Sequence, residues 1–238
     1  MTSKEISSER LGQIKAFLAA HGFDKAKLAP LAGDASFRRY IRVKKPGKLA
    51  MLMDAPPARE DSRPYLAVAE YLYARGYSVP AILGHDLASG LLLLEDFGDR
   101  LFTLELKKQP ASAEQEFYAA AIDVLADWHT GKPPLADPKA LFLPLYDQPL
   151  LMKEVRLFTD WYLPQIAGKE AAAKFGAEYL RLWECILATA PLATDCFVHR
   201  DYHADNLMWL SKREGVRRVG LLDFQDGVYG DAAYDIVS

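Results

Sequence analysis

The chain has 238 residues, enough for one large domain or two small lobes with a hydrophobic core. Half of the residues are apolar and the net charge is −3, so the basic excess expected for a nucleic-acid partner is absent. The apolar runs, such as GLLLLE at Gly90–Glu95, are far shorter than the ~20 residues of a membrane span, and the N-terminus lacks a signal-peptide core. We therefore expect a cytoplasmic protein with neither a nucleic-acid nor a membrane partner.

The first part of the chain alternates short strands with helices. Apolar periodicity and the turn residues Gly33-Asp34 and Pro46-Gly47 set the boundaries. The predicted elements are helix 8–21, strands 27–32, 36–44 and 48–54, helix 64–75, and a strand pair within 79–86 and 90–96.

The pattern changes to long helices between Gly98 and about Ala190. Their aromatic stripes predict that Trp128, Phe158 and Trp161 pack in the core. Two short strands return at 206–210 and 216–223. The sequence therefore predicts an α+β fold of two lobes, with a ligand in the cleft between them. The predicted domains are an antiparallel-sheet lobe at 1–95, a hinge at 96–99 and a helical lobe at 100–238.

Cysteine and histidine spacing gives no indication of a metal-binding cluster. Cys185 and Cys196 are far from forming a close pair, which favours buried free thiols. His199 and His203 have the spacing of a helical zinc pair, but no Glu follows His199 and the segment is typical of a loop.

The segment HRDYHADN at 199–206 matches the kinase catalytic-loop pattern H-R-D-x-x-x-x-N at every specified position. Phosphoryl transfer requires an aligned nucleophile and neutralised phosphate charge. The carboxylate of Asp201 is suited to orient a substrate hydroxyl and accept its proton. The amide oxygen of Asn206 is a hard, neutral ligand suited to Mg²⁺.

A second segment, GLLDFQDG at 220–227, places Asp223 at the end of an apolar strand and before Phe224. This is the context of the metal-binding Asp of the D-F-G motif, with Gln225 in place of the Gly. Asp223 is therefore the second predicted magnesium ligand. Taken alone, it could equally be a strand cap.

A literal D-F-G also occurs earlier, in EDFGD at Glu95–Asp99. The metal-binding Asp of a kinase follows the catalytic loop, and this segment precedes it. We assign it to the hinge, where backbone N–H and C=O groups are placed to bond an adenine edge. The alternative is a plain linker turn.

These motifs resemble those of the aminoglycoside phosphotransferase-like family, small-molecule kinases with a protein-kinase-like fold. Within it, the likeness is greatest to the bacterial anomeric N-acetylmuramate/N-acetylglucosamine kinases of cell-wall recycling. The stretches that carry the likeness span nearly the whole chain: 33–43, 51–72, 79–99, 156–163, 198–210 and 220–238.

The resemblance implies a set of nucleotide-binding residues. GDASFRRY at 33–40 takes the place of the phosphate-covering loop, although it is not Gly-rich; an ordinary hairpin turn is the alternative. Backbone N–H groups and Ser36, with Arg38 or Arg39, would then hold the phosphates. The residues expected to bind the nucleotide are Ser36, Phe37, Arg39, Glu70, Glu95 and Phe97.

The sequence departs from the family pattern in two places. Met51 or Met53 stands where the third strand of a kinase carries its phosphate-binding Lys, so Arg39 or Arg42 would have to substitute, with Glu70 as the paired helix Glu. Family helices also continue beyond the position of Ser238, so apolar surface is expected near the end of the chain, around Ile236.

The resemblance implies an ATP- and magnesium-dependent kinase that phosphorylates the anomeric hydroxyl of an amino sugar. An aminoglycoside acceptor is one alternative, since Asp226, Asp231 and Asp235 could form an acidic site; they also fit turns and helix caps. A nucleotide-binding module with little turnover is another, suggested by the missing Lys. A protein kinase is disfavoured because no activation segment or A-P-E motif follows Asp223. The oligomeric state is left open.

Overall fold

The computed structural model describes residues 6–31, 37–130, 142–190, 192–193 and 196–238. The chain divides into two compact units: Met1–Trp128 with Asp201–Gln225, and His129–Arg200 with Asp226–Ser238. Both contain helices and antiparallel strands, as the α+β class requires. The domain boundaries at 96–99 stay a prediction.

Helices and strands follow one another in an order close to the predicted one. In chain order they are α1 (Ser8–Ala20), β1 (Lys27–Pro30), β2 (Arg39–Lys45), β3 (Lys48–Asp54), α2 (Arg63–Ala74), β4 (Ile82–Asp86), β5 (Leu91–Leu94), α3 (Phe102–Leu106), α4 (Ser112–Thr130), α5 (Gln148–Leu157), α6 (Leu163–Thr189), β6 (Cys196–Val198), β7 (Leu207–Trp209), β8 (Val219–Leu221), β9 (Val228–Gly230) and α7 (Ala233–Val237).

The first unit is built on a five-stranded antiparallel sheet in the order β1-β2-β3-β5-β4. Its inner strand β5 consists of four leucines, all buried. The β2–β3 hairpin turns at Gly47, whose positive φ of 73° suits a residue without Cβ. A Cβ on Gly90, before β5, would lie 1.9 Å from the Ala55 carbonyl oxygen, so the backbones approach too closely there for any other residue.

Helix α1 covers one face of this sheet. The Ser7 hydroxyl accepts from the Arg10 backbone N–H at 3.2 Å and caps the helix. Ile14 and Phe17 of the helix pack in one cluster with Ile41 and Val43 of β2. The face of β2 that carries Ile41 and Val43 is therefore the face beneath α1.

The β7–β8 ribbon belongs to the same unit and rests on aromatic rings. Trp209 stacks on Phe117 of α4 with ring centroids 4.2 Å apart, and Phe102 of α3 meets Phe117 edge-on at 5.0 Å. These contacts fix the ribbon against α3 and α4. Both strands are shorter than predicted, because residues Gly215–Arg218 form a 3₁₀ turn before β8.

The second unit contains α5, α6, α7 and the β6–β9 ribbon, of which β6 and β9 were not predicted. The prediction that Trp161 packs in the core was wrong, since its side chain is 72% exposed. A π-helical turn at Phe158–Tyr162 shifts the helical phase, so the stripe extrapolated from α5 does not continue through it. Cys185 is also exposed, contrary to expectation.

Two further surface findings concern the described residues. Ile236 and Val237 of α7 are 64% and 81% exposed. No helix among these residues combines the length and apolar character needed to cross a bilayer.

Candidate active site

The β7–β8 ribbon brings the two predicted metal ligands to the same end. Leu207 pairs with Leu221, and the Leu222 N–H donates to the Asn206 carbonyl at 2.9 Å. Asn206 directly precedes β7, and Asp223 follows β8 by two residues. Because the strands are antiparallel, the start of one meets the end of the other. The structure thus brings residues 206 and 223 together, as the motif spacing predicts.

A tight turn joins Asp201 to Asn206. The His203 N–H donates to the Asp201 carbonyl at 3.0 Å, and the Asn206 N–H donates to the His203 carbonyl at 2.8 Å. The Asn206 side-chain Nδ2 also donates to the Asp201 carbonyl at 3.0 Å. This bond uses the amide nitrogen and not Oδ1, the atom suited to a metal.

Helix α3 holds the turn between Asp201 and Asn206 in place. The Thr103 hydroxyl donates to the Ala204 carbonyl at 3.1 Å and also to the Asp205 carboxylate. Since α3 is packed on the aromatic cluster, the Asp201 turn is tied to the rigid part of the first unit. Such support keeps a reactive side chain in place.

Asp223 has a strained backbone and a half-exposed side chain. Its φ is +58°, a left-handed conformation that non-glycine residues adopt mainly where the surrounding structure requires it. The side chain is 43% exposed. Gln225 Nε2 donates to its Oδ1 at 2.6 Å, so the residue that replaces the motif Gly holds the carboxylate. Phe224 is fully buried against Tyr65, with ring centroids 4.9 Å apart.

The donor set at the ribbon end fits a magnesium ion. An amide oxygen and a carboxylate are hard oxygen ligands, and Mg²⁺ in phosphoryl-transfer sites usually takes one or two of them plus phosphate oxygens and water. Among the described residues, no group of three or more His, Cys, Asp or Glu is arranged to hold a metal ion. The chemistry of Asn206 and Asp223 therefore suits Mg²⁺ shared with a phosphate.

Arg39, an expected phosphate ligand, is not brought to this end of the ribbon. Its guanidinium pairs with Asp54 at 2.5 Å, and Arg10 of α1 pairs with the same carboxylate at 2.7 Å. Asp54 is fully buried. Arg39 shares the strand face of Ile41, beneath α1, where it serves a buried ion cluster.

Arg42, the other substitute considered for the Lys, is also occupied elsewhere. It pairs with Asp96 at 2.6 Å and Asp99 at 2.7 Å, and it donates to the Gly98 carbonyl at 2.9 Å. These bonds order the hinge segment and leave Arg42 bound to its carboxylates.

The arginine that reaches Asp223 is Arg38. Its Nη1 lies 3.5 Å from Asp223 Oδ1 and its Nη2 lies 3.4 Å from Glu60 Oε2, and its side chain is 11% exposed. Tyr40 lies beside this group, and burial raises the pKa of its hydroxyl to about 12, although Arg38 acts in the opposite direction. Sequence reasoning named Arg38 only as an alternative and missed Glu60. The alternation of apolar residues along β2 could have indicated Arg38. Ile41 and Val43 face α1, so residue 39 lies under α1 as well, and residue 38 lies on the opposite face.

Glu70 is exposed and is not the paired glutamate. Helix α2 buries Tyr65, Val68, Ala69 and Leu72, and Glu70 lies off that stripe. The helical spacing of the buried residues already predicts this orientation. Glu60, in the loop before α2, takes the position beside the cation.

Of the remaining expected nucleotide ligands, Ser36 is outside the described residues. Phe37 is 52% exposed, and the guanidinium of Arg59 lies 4.9 Å from the centroid of its ring.

In the hinge segment, Glu95 forms an ion pair with Arg213 and accepts from the Ala81 N–H at 3.3 Å. The Phe97 ring lies so close to Gly220 of β8 that a Cβ there would approach it to 2.8 Å. The Gly98 N–H donates to Asp96 at 2.8 Å and its carbonyl accepts from Arg42. Both backbone groups of Gly98 therefore have partners within this unit, Asp96 in the segment itself and Arg42 on β2.

The acidic residues near the chain end have structural contacts. Asp235 is 3% exposed and accepts from the backbone N–H groups of His199 at 2.8 Å and Arg200 at 2.9 Å. Arg200, at φ +75°, pairs with Glu154 at 2.5 Å. Asp231 accepts from the Ala233 N–H at 2.8 Å, at the start of α7. Asp231 and Asp235 therefore fit the turn-and-cap interpretation.

Comparison with known proteins decides the family. Residues 27–238 match the model of the phosphotransferase enzyme family. The chain belongs to this family. Its curated relatives include the N-acetylmuramate/N-acetylglucosamine kinase of Pseudomonas aeruginosa, 38% identical over 89% of this chain, and that of Caulobacter vibrioides, 34% identical over 97%. The chain spans 58% and 71% of the lengths of these two relatives.

Solved structures confirm the protein-kinase-like fold. The aminoglycoside phosphotransferase APH(2'')-Ib, bound to ADP, superposes with a TM-score of 0.65 at 15% identity, over 98% of this chain and 75% of the other. The streptomycin–ATP complex of APH(2'')-IIa gives 0.61 over 99% and 76%, also at 15% identity. Choline kinase LicA of Streptococcus pneumoniae gives 0.62 over 96% and 73%, at 14% identity. At these identities the likeness concerns the fold alone.

Proposed function

We propose that this protein is an ATP- and magnesium-dependent small-molecule kinase that phosphorylates the anomeric hydroxyl of an amino sugar, N-acetylmuramate or N-acetylglucosamine. The observation that carries the proposal is the meeting of Asp201, Asn206 and Asp223 around one turn and one ribbon end. The acceptor follows from the curated relatives, all four of which are named N-acetylmuramate/N-acetylglucosamine kinases at 32–38% identity.

The proposed step is an in-line displacement at the γ-phosphorus of ATP. Asp201 orients the sugar hydroxyl and accepts its proton as the oxygen bonds to phosphorus. The bond between the γ-phosphorus and the β,γ-bridging oxygen breaks, and ADP leaves. Asn206 and Asp223 would hold Mg²⁺ through their side-chain oxygens, and the ion would neutralise phosphate charge. The hinge segment around Glu95 and Phe97 receives the adenine.

An aminoglycoside acceptor has less support than an amino sugar. Aminoglycosides are polycations, so their site requires free carboxylates. Asp235 is buried and bonded to two backbone N–H groups, and Asp231 accepts from the Ala233 N–H. Of the three acidic residues considered, Asp235 is therefore closed to an amine and Asp226 is exposed, so the three do not form a buried acidic site. The likeness to aminoglycoside phosphotransferases lies below 20% identity and supports only the fold.

The acceptor is tested by incubating the protein with ATP, Mg²⁺ and a panel of free sugars and aminoglycosides, with ADP release as the readout. We expect turnover with N-acetylmuramate or N-acetylglucosamine and none with aminoglycosides. A 1-O-methyl glycoside, which lacks the free anomeric hydroxyl, should be inert. Turnover of the methyl glycoside would overturn the anomeric assignment.

The role of Asp201 is tested with Asp201→Ala. Because a positioned base contributes ~10²–10⁴-fold, kcat should fall by that factor while the urea-unfolding midpoint stays near that of the wild type. Asp205→Asn is the matched control, since it lies in the same turn and its amide oxygen still accepts from Thr103. Near-normal turnover by Asp201→Ala would exclude Asp201 as the base. If the wild type gives no product in single-turnover assays with ATP and Mg²⁺, the alternative of a nucleotide-binding module is favoured.

A further inference from the structure

We propose that Arg38 replaces the missing strand lysine, and that it exchanges one partner on binding: it pairs with Asp223 in the free protein and with nucleotide phosphate in the complex, while Glu60 holds it throughout. The inference rests on the proposed function and deepens it. It assigns a phosphate-binding cation, its anchor and a competition between that cation and the metal for one carboxylate.

The position of Arg38 supports this assignment over its neighbours. Arg39 is bound in the buried cluster with Asp54, and Arg42 is bound to Asp96 and Asp99. Arg38 is the strand-end arginine with a partner at the ribbon end, 3.5 Å from Asp223. A guanidinium so placed lies beside the position that a phosphate shared with the metal would take.

Glu60 makes the arrangement a switch and not a fixed ion pair. Arg38 bridges two carboxylates at 3.4 and 3.5 Å, both longer than the 2.7–2.9 Å of an optimal charge-assisted bond. Glu60 is 18% exposed and Asp223 is 43% exposed, so Asp223 is the partner that solvent and ligands reach more easily. Losing Asp223 leaves Arg38 with Glu60 as its counter-ion.

The exchange follows from charge. A divalent ion on Asp223 would bring a second positive charge against Arg38, which destabilises the Arg38–Asp223 pair. A triphosphate supplies new acceptors for the freed Nη1, and charge-assisted bonds from guanidinium N–H groups to phosphate oxygens are strong. Gln225, neutral and bonded to Oδ1 at 2.6 Å, keeps the carboxylate in place during the exchange.

Arg38→Met tests the proposal, because it removes the charge and keeps an apolar stem. Lys45→Met is the matched control: Lys45 lies on the opposite end of β2 and pairs with Asp24. Two equilibrium constants are measured for each variant. The first is the affinity for Mn²⁺ alone, measured by electron paramagnetic resonance of the free ion. The second is the affinity for ATP with Mg²⁺, measured by calorimetry. The affinity for adenosine, which lacks phosphates, is measured in the same way as the reference.

The two constants should move in opposite directions. Without Arg38, Asp223 has no competing cation, so Mn²⁺ alone should bind about threefold to tenfold more tightly. ATP with Mg²⁺ should bind at least tenfold more weakly, while adenosine binds as in the wild type. Glu60→Gln should weaken ATP binding by a smaller factor. Lys45→Met should leave both affinities unchanged. The proposal would be overturned if Arg38→Met also left both unchanged, or if it shifted the Mn²⁺ and ATP affinities in the same direction.

Failure of the inference is distinguishable from failure of the proposed function. If the protein is not a kinase, the wild type will release no ADP with the sugar panel, whether or not it shows a magnesium-dependent gain of ATP over adenosine affinity. If it is a kinase but Arg38 has another role, the wild type will show that gain and Arg38→Met will retain it.

Discussion

The β6–β9 and β7–β8 ribbons have strands of the same length, and an aspartate lies beyond the last strand of each, Asp235 in α7 and Asp223 two residues after β8, but the two carboxylates have different surroundings. Asp235, after β9, is 3% exposed and accepts two backbone N–H bonds. Asp223, after β8, is 43% exposed, and within the described part of the chain its carboxylate is held by the side chains of Gln225 and Arg38. A carboxylate saturated by backbone groups stabilises the fold, whereas one held by replaceable side chains can bind a ligand.

The largest expected effect concerns Asp223. Asp223→Asn keeps the shape and removes the charge that a metal requires, so kcat should fall by about 100-fold or more, since even partners that only orient metal ligands contribute 10–100-fold. The free energy of unfolding should change by less than about 1 kcal/mol, because the side chain is half exposed. Steady-state kinetics over a magnesium titration measure kcat, and urea unfolding measures the free energy of unfolding. Equal magnesium dependence in wild type and variant would refute the ligand role.

Asp235→Asn should show the reverse pattern. In the wild type, the ionised carboxylate of Asp235 accepts both backbone bonds. The Asn side chain of the variant offers only one oxygen, so one of the two backbone N–H groups would stay buried without a partner. We expect a loss of about 3 kcal/mol in the free energy of unfolding. Urea unfolding measures it, and at a temperature where the variant is folded its apparent affinity for Mn²⁺ should equal that of the wild type. A stable variant with weakened metal binding would mean that the two aspartates have been assigned the wrong roles.

The smallest expected effect is a pH dependence at Tyr40, beside Arg38. Burial raises its pKa from 10 in the unfolded chain to about 12 in the folded protein, so the folded state retains the proton longer. The stability that this provides is present below pH 10 and is lost as the pH rises towards 12, with about 1 kcal/mol lost at pH 11. Tyr40→Phe should remove this part of the alkaline destabilisation, measured by urea unfolding at about pH 9 and about pH 11. An identical pH dependence in wild type and variant would contradict it.

Contiguous sequence signals predicted that three residues of the candidate site, Asp201, Asn206 and Asp223, meet. HRDYHADN fixes a turn between Asp201 and Asn206, and the apolar strands on either side of the 211–218 connection pair as a ribbon, so Asp223 returns to Asn206. The order of strands and helices in the first unit was equally predictable from periodicity. Local spacing is sufficient in these cases, because the residues that must meet are joined by a short antiparallel connection.

The cation and its anchor required long-range pairing. Arg38 and Asp223 are distant in sequence, and no local pattern indicates that Glu60, rather than Glu70, faces them. Arg39 is predicted to bind phosphate because it lies in the loop at 33–40, but the pairing of Arg39 with Asp54 across the β2–β3 hairpin decides its partner. The strands β6 and β9 were missed for the same reason, since Cys196 pairs with Gly230 far along the chain and no short connection marks the two strands as partners.

The central claim is that Asn206 and Asp223 hold the metal of a bound nucleotide at the end of the β7–β8 ribbon. Crystals grown with Mn²⁺ and a non-hydrolysable ATP analogue test it directly, because the anomalous signal of manganese locates the ion. The account predicts a peak within about 2–2.3 Å of Asn206 Oδ1 and of an Asp223 carboxylate oxygen, with the triphosphate as co-ligand. A bound triphosphate whose metal lies away from both side chains would contradict it.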